Sequence, residues 1–222
     1  MRAFIPSAVI FDMDGLMFDT EAIGVNAWLH ISEEMNVKVT KELSKKLLGI
    51  TWEASKRILF NELGEFDFEH AQKLFFEYLK NYIKDHGVPI KSGLFELLDF
   101  LDEMKIKKAV ATSSLYDDAV YYIKKAGIFD RFDEIVTGDM VEKGKPNPDI
   151  FLYAAKILDV VPENCIVLED SINGIKAAHA AKMIPVMIPD LVCPTDEIIP
   201  LLHSKLHSLN DVIRLIMELW KD

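Results

Sequence analysis

Carboxylate side chains follow two apolar segments of the sequence at spacings that suit a metal ion. Asp12 and Asp14 directly follow the first of these segments. Glu169 and Asp170 follow the second. Residues two apart in an extended chain project to the same side, and carboxylate oxygens are ligands that Mg²⁺ prefers. A solvated turn or a charged helix start would carry the same residue types, so each motif alone leaves these alternatives open.

Two further segments supply groups that could hold an anion. Thr112, Ser113 and Ser114 follow a third apolar run, where hydroxyl and backbone N–H groups could bind an anion at a helix start. Taken alone, a helix N-cap is the simpler explanation of these residues. Lys145 precedes two prolines, which could hold its ammonium in one position. Together the four segments suit phosphoryl transfer, in which the protein mainly positions the reacting groups and compensates the charge of the phosphoryl group.

The elements that must position these groups are short apolar runs separated by segments of helical period. Continuous hydrophobicity predicts strands that are covered on both faces, as in an open, parallel α/β sheet. The predicted strands are Ala8–Phe11, Lys108–Ala111, Glu134–Thr137, Cys165–Leu168 and Ile184–Ile188. The helices predicted between and after them are Leu94–Met104, Leu115–Ala126, Pro148–Leu158, one that begins at Ser171, and Asp211–Trp220.

An insertion is predicted between the first two strands, because far more chain separates them than one crossover helix needs. Only helical periodicity occurs there. The predicted helices are Thr20–Met35, Lys41–Leu48, Thr51–Leu63 and Asp67–Asp85, with Thr51 and Asp67 as N-caps. The sequence therefore predicts a core of residues 1–19 and 89–222 and an inserted helical bundle at residues 20–88.

Composition restricts the class of partner. The 222 residues include 25 basic and 36 acidic side chains, a formal net charge of −11, without a block of Lys or Arg that suits a polyanion. We therefore expect no nucleic-acid partner and a small anionic substrate that local positive groups hold. No stretch approaches the ~18 apolar residues of a membrane span, so no membrane partner is expected. Cys165 and Cys193 lack metal or redox spacing, which favours reduced thiols in a cytoplasmic protein.

Four segments resemble the successive motifs of the haloacid dehalogenase superfamily, in the subfamily of sugar-phosphate phosphatases and β-phosphoglucomutase. They read FDMDGLMFDTE, VATSS, KGKPNPDIF and VLEDSINGIKAA, in the order of the family's motifs. The resemblance implies a Rossmann-like core with an inserted α-helical cap and a phosphoric monoester hydrolase. It also implies a small phosphorylated metabolite as substrate. The oligomeric state stays open, with a monomer favoured.

The resemblance also implies roles for the residues that match the motifs. Asp12 would be the nucleophile that becomes an aspartyl-phosphate, and Asp14 would act as general acid and then as general base. Thr112 and the backbone of Ser113 would hold phosphate oxygens, and Lys145 would pair with the nucleophile and the phosphate.

A magnesium site is implied by the same resemblance. Asp12 and Asp170 would bind Mg²⁺ through their carboxylates, joined by the backbone carbonyl of Asp14. Glu169 would be a further ligand or would act through a water molecule.

Three activities compete within this resemblance. Asp14 disfavours a dehalogenase, because dehalogenases lack this second aspartate. Mutases carry a histidine and an arginine at the positions of Gly24 and Trp52, so a phosphatase of the pseudouridine-5'-phosphatase type is predicted and a mutase is the alternative. Besides these activities, a phospho-ligand-binding module without activity is possible, which the presence of Asp12 disfavours. Trp52 is a candidate specificity residue, with packing inside the cap as its alternative.

Overall fold

Two compact units make up the chain in this computed structural model, which describes residues 5–47, 50 and 52–221. One unit consists of Met1–Phe18 and Ile90–Asp222 and is called the core. The other consists of Asp19–Pro89 and is called the cap. No helix in the described ranges is both long and apolar enough to cross a membrane.

A parallel sheet forms the centre of the core. Its strands are β1 (Ala8–Phe11), β2 (Lys107–Ala111), β3 (Glu134–Val136), β4 (Cys165–Glu169), β5 (Ile184–Met187) and β6 (Ser204–Lys205). They lie in the order β3-β2-β1-β4-β5-β6, and every neighbouring pair is parallel. The predicted α/β fold with a parallel sheet is therefore confirmed.

The register of β1 determines which strand ends become neighbours. Phe11 pairs with Val110 of β2 on one side and with Leu168 of β4 on the other. The next residue, Asp12, donates its backbone N–H to the Leu168 carbonyl at 3.0 Å. Because the strands are parallel, the residues that follow β1, β2 and β4 meet at one edge of the sheet.

Helices cover the sheet, as the continuous hydrophobicity of its strands predicts. The core helices are α5 (Leu94–Glu103), α6 (Tyr116–Lys125), α7 (Asp149–Ile157), α8 (Ile172–Ala180) and α9 (Leu209–Lys221). Alternate residues of β1, β2 and β4 form one buried cluster with α7 and α8, which includes Ile10, Val167, Phe151 and Ala178. This packing fixes the strands whose ends carry the polar residues.

Helices alone form the cap in the described part of the chain. They are α1 (Thr20–Glu34), α2 (Lys41–Lys45), α3 (Trp52–Leu63) and α4 (Phe68–His86). The Asp67 carboxylate accepts a 3.0 Å hydrogen bond from the backbone N–H of His70, which confirms the predicted N-cap. Helix α2 ends three residues before the predicted Leu48, which lies outside the described residues, as does the predicted N-cap Thr51.

The chain leaves and re-enters the core at adjacent points. Phe18 and Ile90 form an antiparallel bridge within the core. Within the cap, the Asp19 N–H donates to the Pro89 carbonyl at 2.8 Å. The two ends of the inserted segment are therefore hydrogen-bonded to each other.

Candidate active site

Lys145 joins two of the predicted site carboxylates. Its Nζ lies 2.5 Å from Asp12 Oδ1 and 2.6 Å from Glu169 Oε1, and it donates to the Ala111 carbonyl at 3.0 Å. These partners stand at the ends of β1, β4 and β2, so the sheet register brings them to one ammonium. Lys145 and Asp12 are each only 8% exposed and Glu169 is fully buried. The cluster is an ion-paired network shielded from water.

The charge of Lys145 is maintained by its neighbours. Burial alone would lower the pKa of this ammonium, but the carboxylates of Asp12 and Glu169 outweigh burial and raise the pKa above its ordinary value. Lys145 therefore stays protonated over the physiological range and compensates negative charge at the strand ends.

Both carboxylate oxygens of Glu169 accept hydrogen bonds. Oε1 accepts from Lys145, while Oε2 accepts from the Ser171 N–H at 3.0 Å and the Ser171 hydroxyl at 2.8 Å. The same hydroxyl accepts the Gly174 N–H at 3.0 Å and so caps α8. This arrangement suits a residue that positions Lys145 and the start of α8.

The chemistry of the donor set fits an oxygen-binding divalent cation. Carboxylate oxygens of Asp12, Glu169 and Asp170 lie within 4.8 Å of one another, and all three residues are buried. Two of these carboxylates share one ammonium, and buried carboxylates are costly without further positive charge. Both Glu169 oxygens already accept hydrogen bonds, which makes Glu169 less suited to bind the ion directly. Direct ligation by Asp12 and Asp170 stays a prediction. The predicted ligand role of the Asp14 carbonyl stays a prediction.

Asp14 occupies a different environment from Asp12. Its Oδ2 accepts a 2.8 Å hydrogen bond from the Ser114 hydroxyl, and the Thr112 hydroxyl lies 3.5 Å from the same oxygen. Tyr122 is buried, and its pKa is raised by burial and then by the nearby negative charges of Asp14 and Asp118. Hydroxyl groups of Ser114 and Thr112 therefore contact Asp14, whereas an ammonium contacts Asp12.

The two residues of the VATSS motif that are predicted to bind phosphate differ in exposure. Thr112 is 1% exposed, and its N–H continues the sheet by donating to the Val136 carbonyl at 3.0 Å. Ser113 is exposed. Its carbonyl oxygen lies so near Gly138 that a Cβ there would stand 2.5 Å away. The loop after β2 is therefore tightly packed although its tip is open to solvent.

Trp52 lies in the aromatic centre of the cap. Its ring centroid is 5.2 Å from that of Phe75, 5.3 Å from Phe76, and 6.1 Å from both Trp28 and Phe68. These four ring contacts favour packing inside the cap over a specificity role for Trp52.

The predicted site residues fall into separate groups. The structure brings Asp12, Lys145, Glu169 and Asp170 into one cluster and Asp14 and Thr112 into a second. Trp52 belongs to the cap.

Three contacts of the site were not predicted from the sequence. Ser114 binds Asp14, Ser171 binds Glu169, and Gly174 contacts the Glu169 carboxylate. Gly174 carried a detectable signal, because glycine inside a helix costs about 1 kcal/mol relative to alanine and needs a reason. Ser114 and Ser171 carried none beyond their place at helix starts.

A known protein family matches most of this chain. The family model described as haloacid dehalogenase-like hydrolase matches residues 9–188. The chain belongs to this family. The predicted family resemblance is therefore confirmed, and the chain is a haloacid dehalogenase-like hydrolase.

Relatives of this hydrolase carry phosphatase and mutase names. The phosphorylated carbohydrates phosphatase of Thermotoga maritima is 32% identical over 92% of this chain and 87% of its own. The β-phosphoglucomutase of Bacillus subtilis is 34% identical over 89% of this chain and 94% of its own. A Drosophila melanogaster protein named "Probable pseudouridine-5'-phosphatase" is 34% identical over 82% of this chain and 80% of its own. The two phosphatase names agree with the predicted enzyme class, a phosphoric monoester hydrolase.

Solved structures of the family share the fold. The crystal structure of β-phosphoglucomutase from Clostridium difficile superimposes with a TM-score of 0.80, covering 98% of this chain and 98% of that one at 27% identity. The hydrolase is thus similar in sequence to both phosphatases and a mutase and in fold to a mutase, and overall sequence identity does not separate the two activities.

Proposed function

We propose that this hydrolase is a Mg²⁺-dependent phosphatase of small phosphomonoesters, such as sugar phosphates or nucleoside monophosphate-like compounds. The observation that carries the proposal is the difference between its two aspartates. Burial raises the pKa of Asp12 well above its ordinary value, and the contacting Lys145 ammonium acts against this rise, so it favours the ionised form that a nucleophile needs. Asp14 contacts hydroxyl groups, which suit a carboxyl that gains and loses a proton. Two carboxyl groups in unlike environments can take unlike roles.

In the first step an Asp12 oxygen attacks phosphorus. The bond between phosphorus and the leaving oxygen breaks, and Asp14 donates its proton to that oxygen, so the alcohol departs neutral. Lys145 and the Thr112 hydroxyl compensate the charge of the phosphoryl oxygens. The product of this step is an aspartyl-phosphate on Asp12.

In the second step water hydrolyses the aspartyl-phosphate. Asp14, now a carboxylate, removes a proton from the attacking water, and the water oxygen forms a bond to phosphorus as the Asp12–phosphorus bond breaks. Inorganic phosphate leaves, and both aspartates return to their starting protonation states. Asp12 and Asp170 would hold a Mg²⁺ ion, and its positive charge would offset the negative charge of the phosphoryl group.

A mutase activity is the second candidate, since one relative bears that name. Two positions in the cap count against it. A Cβ at Gly24 would lie 3.2 Å from Phe75, and Trp52 packs on the same phenylalanine. Gly24 and Trp52, the positions at which similar mutases carry a histidine and an arginine, therefore lie beside an aromatic cluster. We expect β-glucose 1-phosphate to release phosphate faster than it is converted to glucose 6-phosphate in a coupled assay.

The proposal is tested by phosphate release from about a hundred phosphorylated metabolites with Mg²⁺ present. Activity should disappear with a chelator and return with Mg²⁺ but not with Ca²⁺, whose coordination is looser. Asp12→Asn should abolish turnover, whereas Asp130→Asn, which removes an exposed carboxylate, should not. Turnover by Asp12→Asn near the wild-type rate would contradict the aspartyl-phosphate mechanism.

A non-catalytic phospho-ligand module makes a different prediction. It would bind phosphorylated metabolites without releasing phosphate from them or from p-nitrophenyl phosphate. Multiple turnovers with p-nitrophenyl phosphate would reject this alternative. The cytoplasmic location and the monomeric state stay predictions, which fractionation of the source cells and light scattering would test.

A further inference from the structure

We propose that Ser114 is the positioning residue for the acid/base carboxyl of Asp14, an inference that rests on the proposed phosphatase function. The Ser114 hydroxyl donates to Asp14 Oδ2 at 2.8 Å across 100 residues of sequence. The Thr112 hydroxyl is 3.5 Å from the same oxygen, at the limit of a hydrogen bond. Of these two hydroxyl groups, Ser114 therefore makes the stronger bond to Asp14.

The direction of the Ser114 hydroxyl is fixed by its backbone. The Ser114 N–H donates to the Thr112 hydroxyl oxygen at 3.1 Å, and the Ser114 carbonyl accepts from the Gly138 N–H at 3.0 Å. Thr112 is in turn bonded to Val136 of β3. The two peptide groups that flank the Ser114 Cα are thus both hydrogen-bonded, which fixes the point at which the Ser114 side chain leaves the backbone.

The bond has a chemical consequence for Asp14. A carboxyl group turns freely about its last single bond unless one oxygen is held, and proton transfer requires one oxygen to face the reacting oxygen. A hydroxyl can donate to the carboxylate and equally to the carbonyl oxygen of the neutral acid. Ser114 can therefore keep the plane of the Asp14 carboxyl constant before and after the proton moves.

Positioning of a general acid affects substrates unequally. A sugar phosphate or β-glycerophosphate expels an alkoxide-like oxygen, which needs a proton as it leaves. p-Nitrophenyl phosphate expels a stabilised phenolate, which does not. Loss of the Ser114 hydroxyl should therefore slow aspartyl-phosphate formation from alkyl phosphates much more than from the aryl phosphate.

The test compares kcat/KM for β-glycerophosphate and p-nitrophenyl phosphate in wild type, Ser114→Ala and Ser114→Thr, with Mg²⁺ present. Single-turnover rates under the same conditions isolate aspartyl-phosphate formation. Ser114→Ala should lower the β-glycerophosphate value at least ~10-fold more than the p-nitrophenyl phosphate value, within the range of acid catalysis. Ser114→Thr, which retains a hydroxyl, should recover most of that ratio. Ser7→Ala, an exposed serine before β1, is the control and should leave the ratio unchanged.

Two outcomes would overturn the inference. Equal losses for both substrates, with a lower melting temperature, would assign Ser114 to the structure of the loop. Unchanged rates for both substrates would remove it from the mechanism. The wild-type reactions separate these results from a failure of the proposed function, because a wild type that hydrolyses neither substrate would refute both proposals together.

Discussion

Gly174 lies directly against the carboxylate of Glu169. A Cβ at Gly174 would stand 1.8 Å from Glu169 Cδ and 1.8 Å from Oε1. No real Cβ approaches another atom so closely, and the obstacle is a buried group that Lys145 and Ser171 hold on either side. The buried position of the Glu169 carboxylate therefore requires glycine in the first turn of α8.

Gly174→Ala is accordingly expected to damage both stability and activity. Alanine is the better helix former by about 1 kcal/mol, so propensity alone would stabilise the variant. Displacement of Glu169 from Lys145 and Ser171 should reverse that sign and lower kcat/KM at least ~10-fold, since the ammonium loses a fixed partner. Thermal unfolding and phosphate release measure the two effects. Gly144→Ala is the control, because a Cβ there meets nothing within 4 Å. An active, stabilised Gly174→Ala would contradict this interpretation.

Asp102 stabilises the core through a buried lysine. Lys108 of β2 is 5% exposed and is paired with Asp102 of α5, which Arg131 Nη2 also contacts at 2.6 Å. Burial acts to raise the Asp102 pKa, but hydrogen bonds from Lys108 and Arg131 hold it below its ordinary value of 3.8. Asp102→Asn should lower the free energy of unfolding by about 1–2 kcal/mol at pH 7, a modest figure because Asp102 is half exposed.

The pH dependence of this effect has a defined sign. A lowered pKa in the folded state means that the contribution is complete above pH 3.8 and is lost as the pH falls through the folded value. The difference between wild type and Asp102→Asn should therefore shrink in acid. Urea unfolding at pH 7 and at successively lower pH measures it. The exposed neighbour Glu103, changed to Gln, should cost little at either pH.

The two cysteines should react very differently with alkylating reagents. Burial, followed by the charge of Glu163, raises the pKa of the Cys165 thiol to about 11, and its side chain is fully buried. Cys193 is exposed. At pH 8 the Cys165 thiolate is therefore rare, and iodoacetamide should modify only Cys193 until denaturant is added. Peptide mass mapping measures the labelling, and Cys193→Ser should remain unlabelled in the folded state. Rapid native labelling of Cys165 would show that this part of the core opens readily.

Trp52 is expected to contribute to cap stability rather than to substrate choice. Truncation to alanine removes ring contacts with Phe75 and Phe76 and should cost about 2–4 kcal/mol, because half-buried aromatic residues contribute less than fully buried ones. Losses in kcat/KM should be equal for the best metabolite and for acetyl phosphate, and Trp52→Phe should recover stability. A loss of ~10-fold or more confined to the metabolite would assign Trp52 to leaving-group recognition.

The sheet could be predicted from the sequence because its buried strands are uniformly apolar. The first strand has the predicted bounds Ala8–Phe11, and β2 starts one residue earlier than predicted, at the exposed Lys107. The edge strand β6 was missed. Among the described residues, Ser204 and Lys205 of this strand pair only with β5. Both are polar, so neither periodicity nor hydrophobicity marks them as a strand.

The site was predictable to the extent that strand ends determine it. Asp12 and Thr112 follow β1 and β2, and Glu169 is the last residue of β4, so parallel pairing brings them to one edge of the sheet. The partners of these residues were not predictable. The Ser114–Asp14 bond and the Gly174–Glu169 approach depend on side-chain placement between segments, which local pattern does not encode. The catalytic roles of these residues stay predictions, which the variants described above would test.

The bridge between Phe18 and Ile90 closes the chain segment that forms the cap. In the topology of the core, this whole segment is therefore a single long loop. The entropy of closing a loop grows only with the logarithm of its length, so a long excursion costs the core little more than a short one. Insertions, deletions or wholesale replacement between Asp19 and Pro89 can therefore accumulate without changing the path of any core strand. Such an arrangement allows the inserted segment to change during evolution while the core keeps its fold.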